Sequence, residues 1–493
     1  DVQEGAFCIV MDPNTGAVLA MASSPDYDLN SPREITDSVL SSYVESVRND
    51  PSSNDEAYAK ALQDAQYSQW RNKALNDTYE PGSTFKTLVL SAALEEGVVS
   101  ESDHFYCSGV KQVANWPIRC SKREGHGDQT LRQAVMNSCN PALIKIGQSL
   151  GEDKFREYWE NFGFTSTTGI ELPGEQKSVF WTADKFGETE LATASFGQRF
   201  QITPIQMITA FAATINGGKL LQPYVVQTVT AADGTVVENT EPTVVRQVVS
   251  QETSDKCREI LTSVVMAEKG TGKNARQAGY TIGGKTGTSE TTVPGEVVVS
   301  FMGFAPADDP QILVLLAYNT PARSAEGSSI GTTGTWISGG NMGAPMAGKL
   351  IGEILDYLGV EKEYTADEAA LADLQTPKVT GMTPADAEAA MDMDMSEDEM
   401  MLEEEEPEVD MSGFVATEEM NGLAPRTVGE GETVTAQVPA AGSVIPGEST
   451  VILYLGGAEP EETGTVPDVT GMSFAAARSK LESAGFFMRA AGA

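Results

Sequence analysis

The chain has 493 residues, with 33 Lys and Arg set against 71 Asp and Glu, for a formal net charge of −38. That imbalance argues against nucleic acid as a partner, because phosphate backbones recruit basic surfaces. The length predicts about three domains at roughly 150 residues each. No run of about 20 apolar residues marks a membrane span.

The first elements read as a hairpin over 6–22: an apolar run, the turn Asp12-Pro13-Asn14-Thr15-Gly16, then Ala17-Val18-Leu19-Ala20-Met21. Residues 31–70 are polar and charged, with helical stretches and a breaker at Asp50-Pro51-Ser52-Ser53. They predict a surface excursion. Pro81 and Gly82 then stop whatever precedes, and Phe85, Leu88, Leu90, Ala93 and Leu94 set a helical period that ends at Gly97. Ser83 opens this helix and Lys86 lies one turn on, so the two share a face beside a positive helix end. That arrangement suits a serine nucleophile with a lysine base. Taken alone, S-x-x-K is common and more often marks an N-cap serine followed by a solvated lysine.

Helical pattern returns near 129–150 and 204–215, with Ser138-Cys139-Asn140 in the first of these, after a short apolar segment and before Pro141. The stretch Gly270-Thr271-Gly272-Lys273-Asn274 is phosphate-loop-like only in part. Ala267 stands at the first glycine position and Asn274 at the Ser/Thr position, so a flexible connector is expected. Residues 279–319 predict three strands, one carrying Lys285-Thr286-Gly287-Thr288, then Val297–Phe304 and Ile312–Tyr318. Asn341–Leu358 predicts a helix on the sheet. Strands at both ends with helices between them predict an α+β fold.

Only two histidines, His104 and His126, and no C-x-x-C are present, which argues against a zinc site or a histidine triad. No metal and no cofactor are expected. Cys8, in an apolar strand, and Cys257, at helical spacing with Ile260, Leu261, Val264 and Val265, read as core thiols. Cys107 and Cys120 bracket a polar loop and are either a disulfide, as extracytoplasmic proteins favour, or two free thiols. Cys139 is a thiol beside the motif residues, but with Ser83 available it is not the expected nucleophile.

The ordered set Ser83-Thr84-Phe85-Lys86, Ser138-Cys139-Asn140 and Lys285-Thr286-Gly287-Thr288 is far more specific than any one part. On these motifs the chain resembles the class B penicillin-binding proteins, monofunctional peptidoglycan transpeptidases of the division- or sporulation-specific kind. Arg71-Asn72, Tyr79-Glu80-Pro81-Gly82, Ser195-Phe196-Gly197-Gln198, Thr203-Pro204-Ile205-Gln206-Met207, Asn216-Gly217-Gly218 and Ser300–Pro306 extend the resemblance over roughly residues 5–358. It implies an antiparallel sheet covered by helices, a domain spanning 1–360. A membrane anchor preceding this chain would hold it at the extracytoplasmic face.

The resemblance also implies the chemistry. Ser83 would attack the penultimate D-Ala carbonyl of a stem peptide ending in D-Ala-D-Ala, with Lys86 as base. Ser138 would bridge Lys86 and Lys285 and relay the proton. Asn140 would hold the donor peptide amide, and Lys285, Thr286 and Thr288 its carboxylate. Gly283, Gly284 and Gly287 would let substrate approach the strand. The backbone N–H groups of Ser83 and Thr288 would form the oxyanion hole. β-Lactams would acylate the same serine. A β-lactamase or D,D-carboxypeptidase, or a sensor that only acylates, shares the motif set. A membrane-embedded glycan polymerase and division or sporulation proteins are the implied partners.

Beyond residue 360 the character changes. Pro377-Lys378-Val379-Thr380-Gly381-Met382 recurs as Pro467-Asp468-Val469-Thr470-Gly471-Met472, which resembles the small α/β PASTA modules appended to some members of the family. The expected layout is a linker over 361–375, one module over 376–457, an acidic linker over 458–465 and an incomplete second module over 466–493. The acidic, Met-rich stretch Asp392–Asp410 reads as a disordered insertion within the first module, because such charge cannot bury a core.

Overall fold

The computed structural model describes residues 2–291, 293, 295–325 and 327–362, and beyond them residues 373–375, 383–384, 424–438, 444–446, 450–456 and 480. The chain divides into two compact units, Asp1–Glu361 and Lys362–Ala493.

Apolar runs near both ends of the first unit build one five-stranded sheet. Val2–Met11 pairs antiparallel with Val18–Ser24 on one side and with Ile312–Pro321 on the other. Ile312–Pro321 pairs with Val297–Ala305, and that strand with Gly283–Glu290, again antiparallel. The Gly283–Glu290 strand therefore lies at the sheet edge. Both faces are covered. Ile9, Met302, Phe304, Leu313 and Leu315 pack in the core that holds the wholly buried helix Pro204–Ile215. Their strand neighbours Val10, Phe301, Ile312 and Val314 pack with Ala347, Ile351 and Leu355 of the C-terminal helix Ala344–Leu358. Successive strand residues face opposite ways, so a two-sided core requires the near-continuous apolar strands seen here.

The polar stretch after the hairpin forms helices Ser38–Asn49 and Asp55–Gln69, with N-caps from Asp37 and Asn54 and the breaker between them. Helices Leu131–Met136 and Asn140–Leu150 flank the Ser138 turn. Among the described residues, no helix is long and apolar enough to cross a membrane. The described part of the second unit holds a three-stranded sheet, with Thr450–Leu455 between Ala424–Val428 (parallel) and Val434–Val438 (antiparallel), and a pair between Asp373–Gln375 and Val444–Pro446. The insertion Asp392–Asp410, the acidic linker and, apart from residue 480, the second repeat lie outside the described residues.

Candidate active site

Ser83 sits in a 3-10 turn, Gly82–Phe85, that runs straight into the α-helix Lys86–Glu95. In a 3-10 turn residues i and i+3 eclipse, which stacks the Ser83 and Lys86 positions more closely than an α-turn would. The turn is held on several sides. Gly82 donates its N–H to Gly197 O at 2.9 Å, and Tyr79 and Ile202 exchange two backbone bonds. Gly197, at φ +84°, must be glycine, since a Cβ there would stand 1.9 Å from Gly82 O. Phe85 anchors the turn among aromatic rings, 4.7 Å from Phe200 and 5.8 Å from Phe164.

The Ser138 turn closes the helix Leu131–Met136. Ser138 N–H reaches Val135 O and Cys139 N–H reaches Ala134 O, a helix-ending pattern that places a left-handed residue where glycine is usual. Here that residue is Ser138, at φ +50°. A side chain held at such a backbone position marks a functional constraint. Lys86 supplies it. Its ammonium is fully buried and donates to Ser138 O at 2.7 Å, Ser138 Oγ at 3.0 Å and Asn140 Oδ1 at 2.7 Å. Asn140 is oriented for this by its own Nδ2 bond to Arg119 O at 3.2 Å. All three ammonium protons are thereby committed. Burial lowers the Lys86 pKa to about 7, against an opposing pull from the Cys139 and Cys120 sulfurs. Loss of one proton frees a lone pair on Nζ.

Across from this cluster runs the Lys285 edge strand. Lys285 is fully buried, and its Nζ donates to Thr286 O at 3.1 Å and Thr286 Oγ1 at 3.4 Å. The bridge expected from Ser138 to Lys285 is not made, because Lys285 turns back onto its own strand. Burial first, and the Lys86 charge second, push the Lys285 pKa well below its ordinary value. Burial is the main cause of the lowered pKa at both lysines. Thr286 Oγ1 donates to Thr271 Oγ1 at 3.3 Å, which donates to Met136 O at 3.0 Å. Thr288 is exposed, and its Oγ1 accepts the Gly339 N–H at 3.2 Å. The strand glycines serve packing more than substrate access. A Cβ on Gly287 would lie 2.3 Å from Ser300 Oγ and 3.1 Å from Thr84 Cγ2, and one on Gly284 would lie 2.5 Å from Met302 O.

Two features were hidden in the sequence. Gly270–Asn274 is no loose connector: Gly272 N–H bonds Val264 O at 2.9 Å, Lys273–Ala275 forms a 3-10 turn, and Thr271 reaches the strand. Cys107 and Cys120 are also not bonded to each other, and all five cysteines are free thiols. Cys107 and Cys120 instead converge with His126 and Cys139, their ligand atoms all within 4.8 Å of one another. Four side chains able to ligate a metal ion thus come together in the fold. The four residues sit on separate short elements, so no spacing motif announces them.

A family profile described as the penicillin binding protein transpeptidase domain matches residues 6–334. The chain belongs to this family. Among its relatives, stage V sporulation protein D of Bacillus subtilis (strain 168) is 34% identical over 466 residues, which cover 92% of this chain and 61% of the relative. The peptidoglycan D,D-transpeptidase MrdA of Acinetobacter baumannii is 28% identical over 63% of this chain and 47% of the relative. The chain thus spans less than two thirds of either relative's length. Among solved structures, the D,D-transpeptidase domain of a peptidoglycan glycosyltransferase from Eggerthella lenta superposes with a TM-score of 0.57 at 29% identity, covering 72% of this chain and 78% of that one. The transpeptidase domain of penicillin-binding protein 3 from Burkholderia pseudomallei, at 22% identity and a TM-score of 0.56, shares the fold.

Proposed function

We propose that the chain is a serine acyl-transferase that cross-links peptidoglycan stem peptides through a Ser83 acyl-enzyme and that β-lactams inhibit it at the same residue. The observation that carries this reading is Lys86: a buried lysine with a pKa near 7, one tight turn from Ser83 and bonded to both Ser138 and Asn140. A lysine that is half neutral at physiological pH is a competent general base.

In this reading, neutral Lys86 takes the Ser83 hydroxyl proton as Oγ attacks the penultimate D-Ala carbonyl. Ser83 N–H belongs to the first turn of its helix, where N–H groups have no intrahelical partner. The edge strand leaves outward backbone groups available, so a stem peptide can add as a further strand. Ser83 and Thr288 N–H are the proposed oxyanion donors, a kind of contact worth about 3–4 kcal/mol each. Ser138 Oγ accepts from Lys86; it passes its own proton to the departing D-Ala nitrogen and takes in return the proton that Lys86 drew from Ser83. The substrate carboxylate meets Lys285, Thr286 and Thr288, and its charge restores the proton that burial disfavours on Lys285. An amine from a second stem peptide then attacks the acyl-enzyme and releases Ser83.

The extracytoplasmic face is the proposed location, with a glycan polymerase and division or sporulation proteins as partners and PASTA-like modules in the second unit. The activity is tested by incubating the chain with a stem-peptide thioester donor and D-alanine as acceptor, with products resolved by mass. Acceptor-bearing product supports a transpeptidase. Hydrolysed donor alone indicates a carboxypeptidase or lactamase, and stoichiometric acylation without product indicates a sensor.

A further inference from the structure

Beyond the acyl-transfer centre, the structure carries a cluster that the proposed reaction does not use. Cys107 closes the strand His104–Cys107, and Cys120 follows the strand Trp116–Arg119. His126 precedes the strand Gly127–Thr130, and Cys139 caps the helix Asn140–Leu150. Cys107, Cys120 and Cys139 are buried. Cys120 Sγ lies 3.6 Å from His126 Nδ1 and 4.0 Å from Cys139 Sγ. A tetrahedral zinc bound by sulfur at about 2.3 Å and nitrogen at about 2.0 Å spans edges of roughly 3.8 Å between sulfurs and roughly 3.5 Å from sulfur to nitrogen. The observed separations match those edges and are about twice a disulfide bond.

Backbone N–H groups converge on the sulfurs. Cys107 Sγ accepts the Gly109 N–H at 3.4 Å. Cys120 accepts from the backbone N–H of Lys122 and Asn140, and Cys139 from that of Ala142. Backbone N–H groups directed at the sulfurs are outer contacts of the kind that orient metal ligands. The local fold also needs a staple. Residues 104–130 are built on two short two-stranded ribbons, His104–Cys107 with Gly127–Thr130 and Val110–Val113 with Trp116–Arg119. Such ribbons are marginal by themselves in water, and metal binding supplies folding free energy where a core is thin.

We propose that Cys107, Cys120, His126 and Cys139 form a closed, four-coordinate structural zinc site that fixes the Ser138–Asn140 turn against the strands beneath it. The ion contacts no substrate. Its role is to position Ser138 and Asn140, which lie on either side of the ligand Cys139.

The test does not depend on activity. The full chain, purified in reductant without chelator, is assayed for metal by inductively coupled plasma mass spectrometry and then exchanged into cobalt(II). The expected result is one zinc per chain and, with cobalt, the visible absorption of a tetrahedral thiolate site with sulfur-to-metal charge transfer. Cys139→Ala and Cys107→Ser should lose the stoichiometric metal. His126→Cys, which keeps four ligands, should retain it with a spectrum shifted toward a four-sulfur site. That variant guards against a general folding failure in the others. A reduced wild-type chain that holds no stoichiometric metal and takes up no cobalt overturns the site, whether its thiols titrate as free or two of them form a disulfide on exposure to air. Metal that survives Cys139→Ala in full also overturns it.

Discussion

The burial of Lys86 makes a quantitative demand on the pH dependence of acylation. Its pKa is lowered from 10.5 to about 7, and only the neutral amine can take the Ser83 proton. Half of the chains are then competent at pH 7, but about 1% at pH 5. The second-order acylation rate constant for a fluorescent penicillin should therefore fall about 50-fold from pH 7 to pH 5 and level off above pH 8. Rates are read by gel fluorescence under pseudo-first-order conditions, with melting checked at each pH to exclude unfolding. Lys285→Ala is the informative control. Burial is the largest cause of the Lys86 shift, so the acid limb should stay near pH 7 in that variant while penicillin binding weakens. A profile flat from pH 5 to 8, or one that still climbs tenfold per unit through pH 9, would refute the assignment of Lys86 as a depressed general base.

Three further substitutions probe the surrounding structure. Ser83→Ala should abolish penicillin labelling with little change in melting temperature; labelling that persists would move the nucleophile elsewhere. Gly197→Ala forces a Cβ to 1.9 Å from Gly82 O at φ +84°, so it should cost at least about 1–3 kcal/mol of stability and slow acylation. A melting temperature equal to wild type would show that the contact yields freely. Thr271→Val removes the hydroxyl between Thr286 and Met136 O. A lost hydrogen bond of about 1 kcal/mol predicts roughly fivefold weaker penicillin binding with the acylation step nearly unchanged. Unaltered binding would mean that Thr286 needs no such support.

How much of this could be read in advance follows from what is local. Ser83 and Lys86 were legible because Pro81-Gly82, a helical period and i,i+3 spacing act within a few residues. The sheet was legible because its strands are apolar enough to be buried on both faces, and the helix Pro204–Ile215 because a helical pattern runs through 204–215. What escaped depends on tertiary approach. Thr271 meets Thr286 only because a turn folds back onto the edge strand, and Gly287 is glycine partly because Thr84 packs over it. The cysteine–histidine cluster escaped for the same reason. Its members come from a strand, two strand flanks and a helix cap, and each cysteine alone resembles an ordinary thiol.

Peptide mapping by mass spectrometry, after incubation of the full chain with penicillin over a time course, tests the central claim most directly. The account predicts one penicilloyl group per chain, located on Ser83 and persisting long after free penicillin is removed. An adduct on Cys139 or another residue, or one that turns over within seconds, would contradict it.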